Sequence, residues 1–202
     1  MKRFAHISTI ILFLAGVILL SFDIKWFPSF YDVRYMGVAS LVGAGLIVII
    51  PKLLRVNPSH PQAEKKNQAA DLFQFSLSFA LMNNALGDLG LYELYRLGFE
   101  YDKLVHFVTP LMLTIVLHQF FQKRFDFYHR HALLITFALV VGGALLWELY
   151  EYLADYFLET HLYGVFGTDI VRDTILDLTC GTLGALTGII ILKFSPRFKK
   201  TA

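Results

Sequence analysis

Residues 132–146 read A-L-L-I-T-F-A-L-V-V-G-G-A-L-L and contain no charged side chain, which is typical of a membrane-spanning helix. The next nine residues, W-E-L-Y-E-Y-L-A-D at 147–155, carry three carboxylates, Glu148, Glu151 and Asp155, at helical spacing. Like charges stacked at the edge of a low-dielectric region repel each other, so such acids need a neutralising partner. This stretch therefore predicts both a membrane fold and the position of a functional site.

The whole chain has the composition of a membrane protein. Of its 202 residues, 56% are hydrophobic and only 17% are charged, whereas about a quarter of a soluble domain is charged. The net charge of +2, with no basic cluster among interleaved aromatic residues, argues against nucleic acid as a partner. A single cysteine, Cys180, excludes an intrachain disulfide and a cysteine metal motif. The partner that this composition predicts is the lipid bilayer.

Apolar runs divide the chain into about six predicted transmembrane helices, each close to the roughly 20 residues that cross a bilayer. The sequence thus predicts an all-α, polytopic membrane helix bundle that forms a single integral membrane domain over 1–202. A polar cytoplasmic loop is expected at 52–70. The third span is the most polar, and we expect it to face other helices rather than lipid. The predicted spans are about 7–22, 35–50, 72–92, 104–121, 132–152 and 174–194.

Basic residues predict the orientation of these spans. Most of the 18 Lys and Arg residues fall on the side that holds both chain termini and the loop at 52–70. Because loops rich in Lys and Arg stay in the cytoplasm, both termini are expected to be cytoplasmic.

Four spans place polar residues at a similar depth near the outer surface. With a rise of about 1.5 Å per residue, one polar residue of each span lies roughly 18 to 24 Å from the cytoplasmic end of its helix. Spacings of three or four residues put further acids on the same helix faces. The residues of this layer are Asn84 on the third span, Asp102 and His106 on the fourth, Glu148 and Glu151 on the fifth, and Asp173 and Asp177 on the sixth.

A divalent metal ion is the first candidate to neutralise the layer. One imidazole with several carboxylates suits Zn, Mn, Fe or Mg, and helical bundles build carboxylate metal sites from such spacings. Neither Glu-x-x-Glu nor Asp-x-x-x-Asp is specific alone, since both are common on solvated helices. The predicted metal ligands are His106, Glu148, Glu151, Asp173 and Asp177, with Glu148 and Glu151 as candidate catalytic residues. Lys103 and Arg172 are candidate binders of an anionic substrate group, and Asp102 and Asn84 are supporting residues.

Three blocks of sequence carry a resemblance to a known family. The blocks are Y-D-K-L-V-H-F at 101–107, W-E-L-Y-E at 147–151 and D-T-I-L-D-L-T-C-G-T-L-G-A at 173–185. In order and spacing they resemble the signature blocks of the YjdF-like bacterial inner-membrane proteins. The resemblance covers the chain from about 100 onward, and it implies a location in the bacterial inner membrane but no established activity. The first block is also similar to VanZ-like membrane proteins, a group linked to resistance to glycopeptide antibiotics. By motif position, the family residues are Asp102, Lys103, His106, Glu148, Glu151, Asp173 and Asp177.

Three functions stay open at this point. The first is metal-dependent hydrolysis of an envelope or lipid phosphate or ester, with a Glu or Asp as general base. The second is a structural or accessory role without catalysis, in which the polar layer only holds helices together. The third is a proton or cation path. The path is disfavoured because the cytoplasmic halves of spans four to six read as apolar, with His118 and His129 expected at the membrane interface.

Overall fold

Six long helices carry the fold in the computed structural model, which describes residues 1–27, 32–158 and 170–195. No β-strand occurs in these described ranges, and the predicted all-α bundle is confirmed. The long helices are α1 (Lys2–Ser21), α2 (Val33–Leu54), α3 (Ala63–Leu86), α4 (Tyr101–Phe125), α5 (His129–Leu158) and α6 (Ile170–Phe194). Short 3-10 or π turns occupy Ile24–Trp26, Gly87–Leu91 and Tyr92–Leu97.

Five of these helices, all except α3, are long and apolar enough to cross a membrane. Their outer faces leave large apolar side chains exposed, such as Leu14 on α1, Ile49 on α2 and Leu146 on α5. Soluble proteins rarely expose contiguous apolar surface of this kind, whereas the acyl chains of lipids cover it favourably. The chain is therefore a multi-pass membrane protein, as predicted. The cytoplasmic location of both termini stays a prediction.

Helix α3 differs from the other five in composition. Its 24 residues would reach about 36 Å, but it is too polar to count as an apolar span. It packs against α1, α2 and α4, and its polar side chains find partners there. Gln74 Nε2 donates to the Ile47 carbonyl of α2 at 3.1 Å, and Gln68 Oε1 accepts a hydrogen bond from Lys123 Nζ of α4 at 2.8 Å. These contacts agree with the expectation that the third span faces other helices, while its crossing of the membrane stays a prediction.

The polar ends of the helices differ from the predicted spans. Helix α2 runs to Leu54 and α3 already begins at Ala63, so the loop expected at 52–70 shrinks to residues 55–62. The reason is that Ala, Glu, Lys and Gln, which follow residue 62, are good helix formers even outside lipid. At its other end α3 stops at Leu86 instead of continuing to 92, because Gly90 takes a φ of 124° that breaks the helix.

Polar contacts tie several helix ends together at one end of the bundle, which we call the basic end. Asp71 near the start of α3 pairs with Lys2 at the start of α1 at 3.2 Å and with Arg55 after α2 at 2.6 Å. Lys65 at the start of α3 forms an ion pair with Asp126 directly after α4. The first four helices therefore alternate in direction, with the start of α1 and α3 and the end of α2 and α4 side by side.

Helices α4 and α6 approach each other closely along a seam of glycines on α6. A Cβ atom at Gly184 would lie 2.1 Å from the carbonyl oxygen of Phe107, and one at Gly188 would lie 2.8 Å from Thr114 Cβ. Only glycine leaves room for helices to approach this closely. The seam brings the acidic start of α6 against the acidic start of α4.

Candidate metal site

Lys103 lies at the centre of the polar layer that the sequence predicted. Its Nζ atom lies 3.0 Å from Asp102 Oδ2 and 2.5 Å from Asp173 Oδ1. It also lies 2.7 and 2.9 Å from the two carboxylate oxygens of Asp177. The ammonium group that was expected to hold an anionic substrate is thus engaged by carboxylates of the chain itself, in short charge-assisted hydrogen bonds.

His106 lies one turn further along α4, among three acids. Its Nε2 atom is 3.5 Å from Asp102 Oδ1 and 3.9 Å from Asp177 Oδ1. Its Nδ1 atom is 3.9 Å from Glu148 Oε1 on α5. These distances are too long for good hydrogen bonds, although the imidazole side chain is only 15% exposed. The ring is therefore surrounded by carboxylates without being closely bonded to any of these three.

Three side chains of this group could hold a metal ion together. Asp102, His106 and Asp177 each offer one ligand atom, and these atoms all lie within 4.8 Å of one another. Two of the five predicted ligands belong to this set, and Asp102, predicted only as a supporting residue, is the third member. Asp173, a predicted ligand, lies outside this set and contacts Lys103, as Asp102 and Asp177 also do. The signal that could have identified Asp102 is its four-residue spacing to His106, which places both on one helix face.

The two candidate catalytic glutamates on α5 differ in their surroundings. Glu148 is buried, with 7% of its surface exposed, and its carboxylate faces His106 at 3.9 Å. Glu151 lies one turn further along α5, and its Oε1 atom accepts a hydrogen bond from Trp147 Nε1 at 2.7 Å. The structure thus brings Glu148 to the histidine and fixes Glu151 against a neighbour on its own helix.

Asn84 and Arg172 are the two remaining residues of the prediction. Asn84 Oδ1 accepts a hydrogen bond from the hydroxyl of Tyr92 at 3.1 Å. The Tyr92 ring packs on Gly87, where a Cβ atom would lie 2.3 Å from the ring, so the glycine allows the chain to fold back on α3. Arg172 is exposed in the first turn of α6, next in sequence to Asp173. Its predicted role in substrate binding stays a prediction.

The charge of the assembled group is unbalanced. We call Asp102, Lys103, His106, Glu148, Asp173 and Asp177 the acid cluster. It contains four carboxylates against one lysine, and Asp177 and Glu148 are buried. Carboxylates removed from water repel each other strongly unless cations or protons compensate them. The acid cluster therefore needs more positive charge than Lys103 supplies.

A second polar group, which we call the histidine pair, was not expected. His118 on α4 is fully buried, and its Nε2 atom lies 3.1 Å from Nδ1 of His129 at the start of α5. The hydroxyl-bearing residues Thr114 and Thr136 are also fully buried in this half of the bundle. This half of the bundle was expected to be apolar, whereas these three polar side chains are buried inside it; the location of His118 at the membrane interface stays a prediction. Isolated polar residues in an apolar run of sequence do not indicate which face of α4 is buried against the other helices.

Comparisons with known proteins agree with the membrane fold. A family model described as "Predicted membrane protein (DUF2238)" matches residues 6–197. No curated protein and no solved structure matches the chain. The family match is consistent with the YjdF-like resemblance and itself also covers the first three helices, whereas the VanZ-like resemblance gains no support.

Proposed function

We propose that this chain, which belongs to the DUF2238 family of predicted membrane proteins, binds a divalent metal ion in the acid cluster and uses it to hydrolyse a phosphate or ester bond. The observation that carries the proposal is the convergence of Asp102, His106 and Asp177 from two helices, with their ligand atoms within 4.8 Å. The excess of carboxylates over lysine in the same place supports a cation as the missing charge.

The spacing of the ligand atoms favours an ion of ordinary size. Ligand atoms at about 2.1 Å from a tetrahedral ion lie about 3.4 Å from each other. His106 Nε2 lies 3.5 Å from Asp102 Oδ1 and 3.9 Å from Asp177 Oδ1, so small side-chain rotations bring the three atoms onto one ion. One imidazole with two carboxylates is a donor set that suits Zn, Mn or Fe, and with added waters Mg.

Lys103 shares Asp177 with the proposed ion. A bound ion would compete with the ammonium group for Asp177, and Lys103 would keep its contact with Asp173. Lys103 would then remain as a cation beside the ion, where it could bind an anionic substrate group. The role predicted for Lys103 in substrate binding belongs to this metal-bound state.

The chemistry follows from the ion and from Glu148. A bound divalent ion would polarise a water, which would become a nucleophile near neutral pH. Glu148 is buried and lies 3.9 Å from Nδ1 of His106, the ring nitrogen that the ion would leave free, and it is the candidate general base for a proton of that water. The hydroxide would add to phosphorus or to the carbonyl carbon, the bond to the leaving oxygen would break, and this oxygen would take up the proton.

Metal analysis of the purified protein tests the site. We expect stoichiometric divalent metal in the wild type and its loss in the variants Asp102→Asn and His106→Ala. The matched control is Asp126→Asn, which removes a carboxylate at the basic end, and it should keep its metal. Absence of metal from the wild type, or unchanged metal in His106→Ala, would contradict the proposal. Chelator-sensitive release of phosphate or fatty acid from lipid vesicles tests the hydrolytic step.

A second candidate function is a proton path, and buried polar groups in the half of the bundle nearer the basic end favour it. Thr114 Oγ1, His118 Nδ1 and Thr136 Oγ1 are buried and have no hydrogen-bond partner among the described residues. Such groups could bond waters between the acid cluster and the histidine pair. Proton flux into proteoliposomes that is abolished by His118→Phe would favour this function, and absence of flux at every pH gradient would exclude it.

A further inference from the structure

A cavity of about 170 Å³ lies between α2, α3 and α5, and we call it the side cavity. Its walls are mainly apolar and include Val42 and Leu46 of α2 and Leu81 of α3. An apolar cavity of about 150 Å³ is large enough to bind benzene, so the side cavity has space for roughly six carbons of an acyl chain. The side cavity is open on one side, and apolar concave spaces with a few polar groups are where small ligands commonly bind.

The side cavity adjoins the surface that faces lipid. Val42 is 54% exposed and Leu46 is 36% exposed, so two residues of the wall also lie on the outer face of α2. Within a bilayer, the molecules in contact with this face are acyl chains. The occupant that the surroundings supply is therefore a lipid tail.

Polar side chains lie at one end of the side cavity. The hydroxyl groups of Tyr35 on α2 and Tyr150 on α5 form a hydrogen bond of 2.5 Å across the gap between these helices. Asn84 and Asp88 line the cavity from the end of α3. An apolar space with polar groups at one end has the same polarity gradient as the boundary between a lipid tail and its headgroup.

Trp147 connects the side cavity with the acid cluster. Its side chain lines the cavity, and its Nε1 atom donates to Glu151 at 2.7 Å. The next residue on α5 is Glu148, which faces His106. Two consecutive residues of α5 therefore contact the cavity and His106, the second of them being the proposed general base.

The structure assigns a membrane lipid as the substrate class of the acid cluster: its acyl chain enters the side cavity between α2 and α5, and its ester or phosphate group reaches the metal. The assignment of substrate rests on the proposed function, whereas occupancy of the side cavity by an acyl chain does not. Soluble phosphate esters have no apolar part to fill this space, so the geometry favours a lipid over them.

Fluorescence of Trp147 tests the occupancy. The chain has two tryptophans, and the substitution Trp26→Phe leaves Trp147 as the single fluorescent reporter. The protein is reconstituted in phosphatidylethanolamine vesicles with or without bromine atoms on the acyl chains, since bromine quenches a tryptophan in contact. We expect strong quenching in this single-tryptophan protein.

Filling the side cavity separates bound lipid from general lipid contact. Gly43 lines the cavity, and a Cβ atom there would meet only methyl groups of Leu81 and Leu12 at 3.6 Å and beyond, so Gly43→Phe extends into the space. Gly45→Phe is the matched control, because it lies on the same helix with open space around it. We expect Gly43→Phe to lose most of the quenching and Gly45→Phe to retain it.

Equal quenching in these two variants, or no quenching in the parent protein, would overturn the inference. Ala39→Phe also fills the side cavity and replaces Gly43→Phe if that variant elutes as aggregate on size exclusion. Metal content is measured on the same preparations. If Gly43→Phe loses the quenching but the protein contains no metal, the proposed function alone is contradicted. If the protein contains metal but Gly43→Phe keeps its quenching, the lipid assignment alone is contradicted.

Discussion

The acid cluster and the histidine pair lie towards opposite ends of α4, and they satisfy their polar groups in different ways. In the acid cluster, Lys103 contacts three carboxylates within 3.0 Å, and negative charge is still in excess. In the histidine pair, His118 is fully buried and bonds another imidazole at 3.1 Å, while its Nδ1 atom has no partner among the described residues. The first region can recruit a cation, whereas the second can share or pass a proton.

Removal of Lys103 should have the largest effect on this contrast. Lys103→Met leaves Asp102, Asp173 and Asp177 without their shared cation, and breaking a largely buried ion pair costs about 3 to 5 kcal/mol. We expect a large fall in the Tm measured in detergent, and partial recovery on addition of a divalent metal. Lys123→Met is the control on the same helix, because the partly exposed Lys123 makes a hydrogen bond to the neutral side chain of Gln68, and loss of such a bond costs about 1 kcal/mol. Equal Tm values for the two variants would contradict the expectation that the ion pairs of Lys103 stabilise the fold.

The glycine seam that holds the acid cluster together gives the next largest effect. Gly184→Ala places a Cβ atom 2.1 Å from the Phe107 carbonyl, so α6 must move away from α4. Overpacking of this kind costs about 1 to 3 kcal/mol, and the shift should also lower metal content. Gly142→Ala on α5 has open space around it and should leave stability equal or slightly higher. Thermal unfolding and metal analysis of both variants check the expectation, and full metal content in Gly184→Ala would contradict it.

Substitution of the two histidines should separate the two regions. His118→Leu removes the hydrogen bond to His129 and should cost about 1 kcal/mol while leaving metal content unchanged. His106→Leu should abolish metal binding with a smaller change in Tm in metal-free buffer, because His106 makes no close hydrogen bond to its three acids. If His118→Leu also lost its metal, the two regions would act as one network.

The smallest effect concerns the ion pair of Lys65 and Asp126 at the basic end. The hydrogen bond from Lys65 lowers the pKa of the exposed Asp126 carboxyl below its usual value. A lowered folded-state pKa means that the contribution to stability is present above the unfolded pKa of about 3.9 and is lost as pH falls through the folded value. Asp126→Asn, which keeps a residue that tolerates the φ of 57° at this position, should lower the Tm slightly at pH 7 and not at all well below pH 3. A larger Tm difference between wild type and Asp126→Asn at acid pH than at pH 7 would contradict this prediction.

Much of the fold follows from the sequence alone, for physical reasons that individual helices illustrate. Helices α1, α2, α4, α5 and α6 coincide with apolar runs, because in lipid each backbone polar group must be bonded within the segment. The end of α3 was harder to predict, since it depends on the unusual φ of Gly90. The extension of helices beyond the apolar runs was missed because helix propensity, not hydropathy, decides the structure there.

The acid cluster was predictable as a layer but not as a set of contacts. Rise per residue fixes the depth of His106, Glu148 and Asp177, and these do converge. The pairing between individual carboxylates and cations depends on the rotation of each helix about its axis, and the sequence does not determine this rotation. The contacts of Lys103 with three acids were not predicted, and its role in binding substrate stays a prediction. The burial of His118 depends on the same rotation.

The glycine seam also has a mechanical consequence. Where α4 and α6 meet backbone to backbone, no flexible side chain lies between them to absorb a change in bilayer thickness or lateral pressure. Two helices in such contact should tilt as one body, so the distance between Asp102 and Asp177 should vary little from one membrane to another. Adjustment to the surrounding lipid would then be concentrated between α2 and α5, where the cavity already separates the helices.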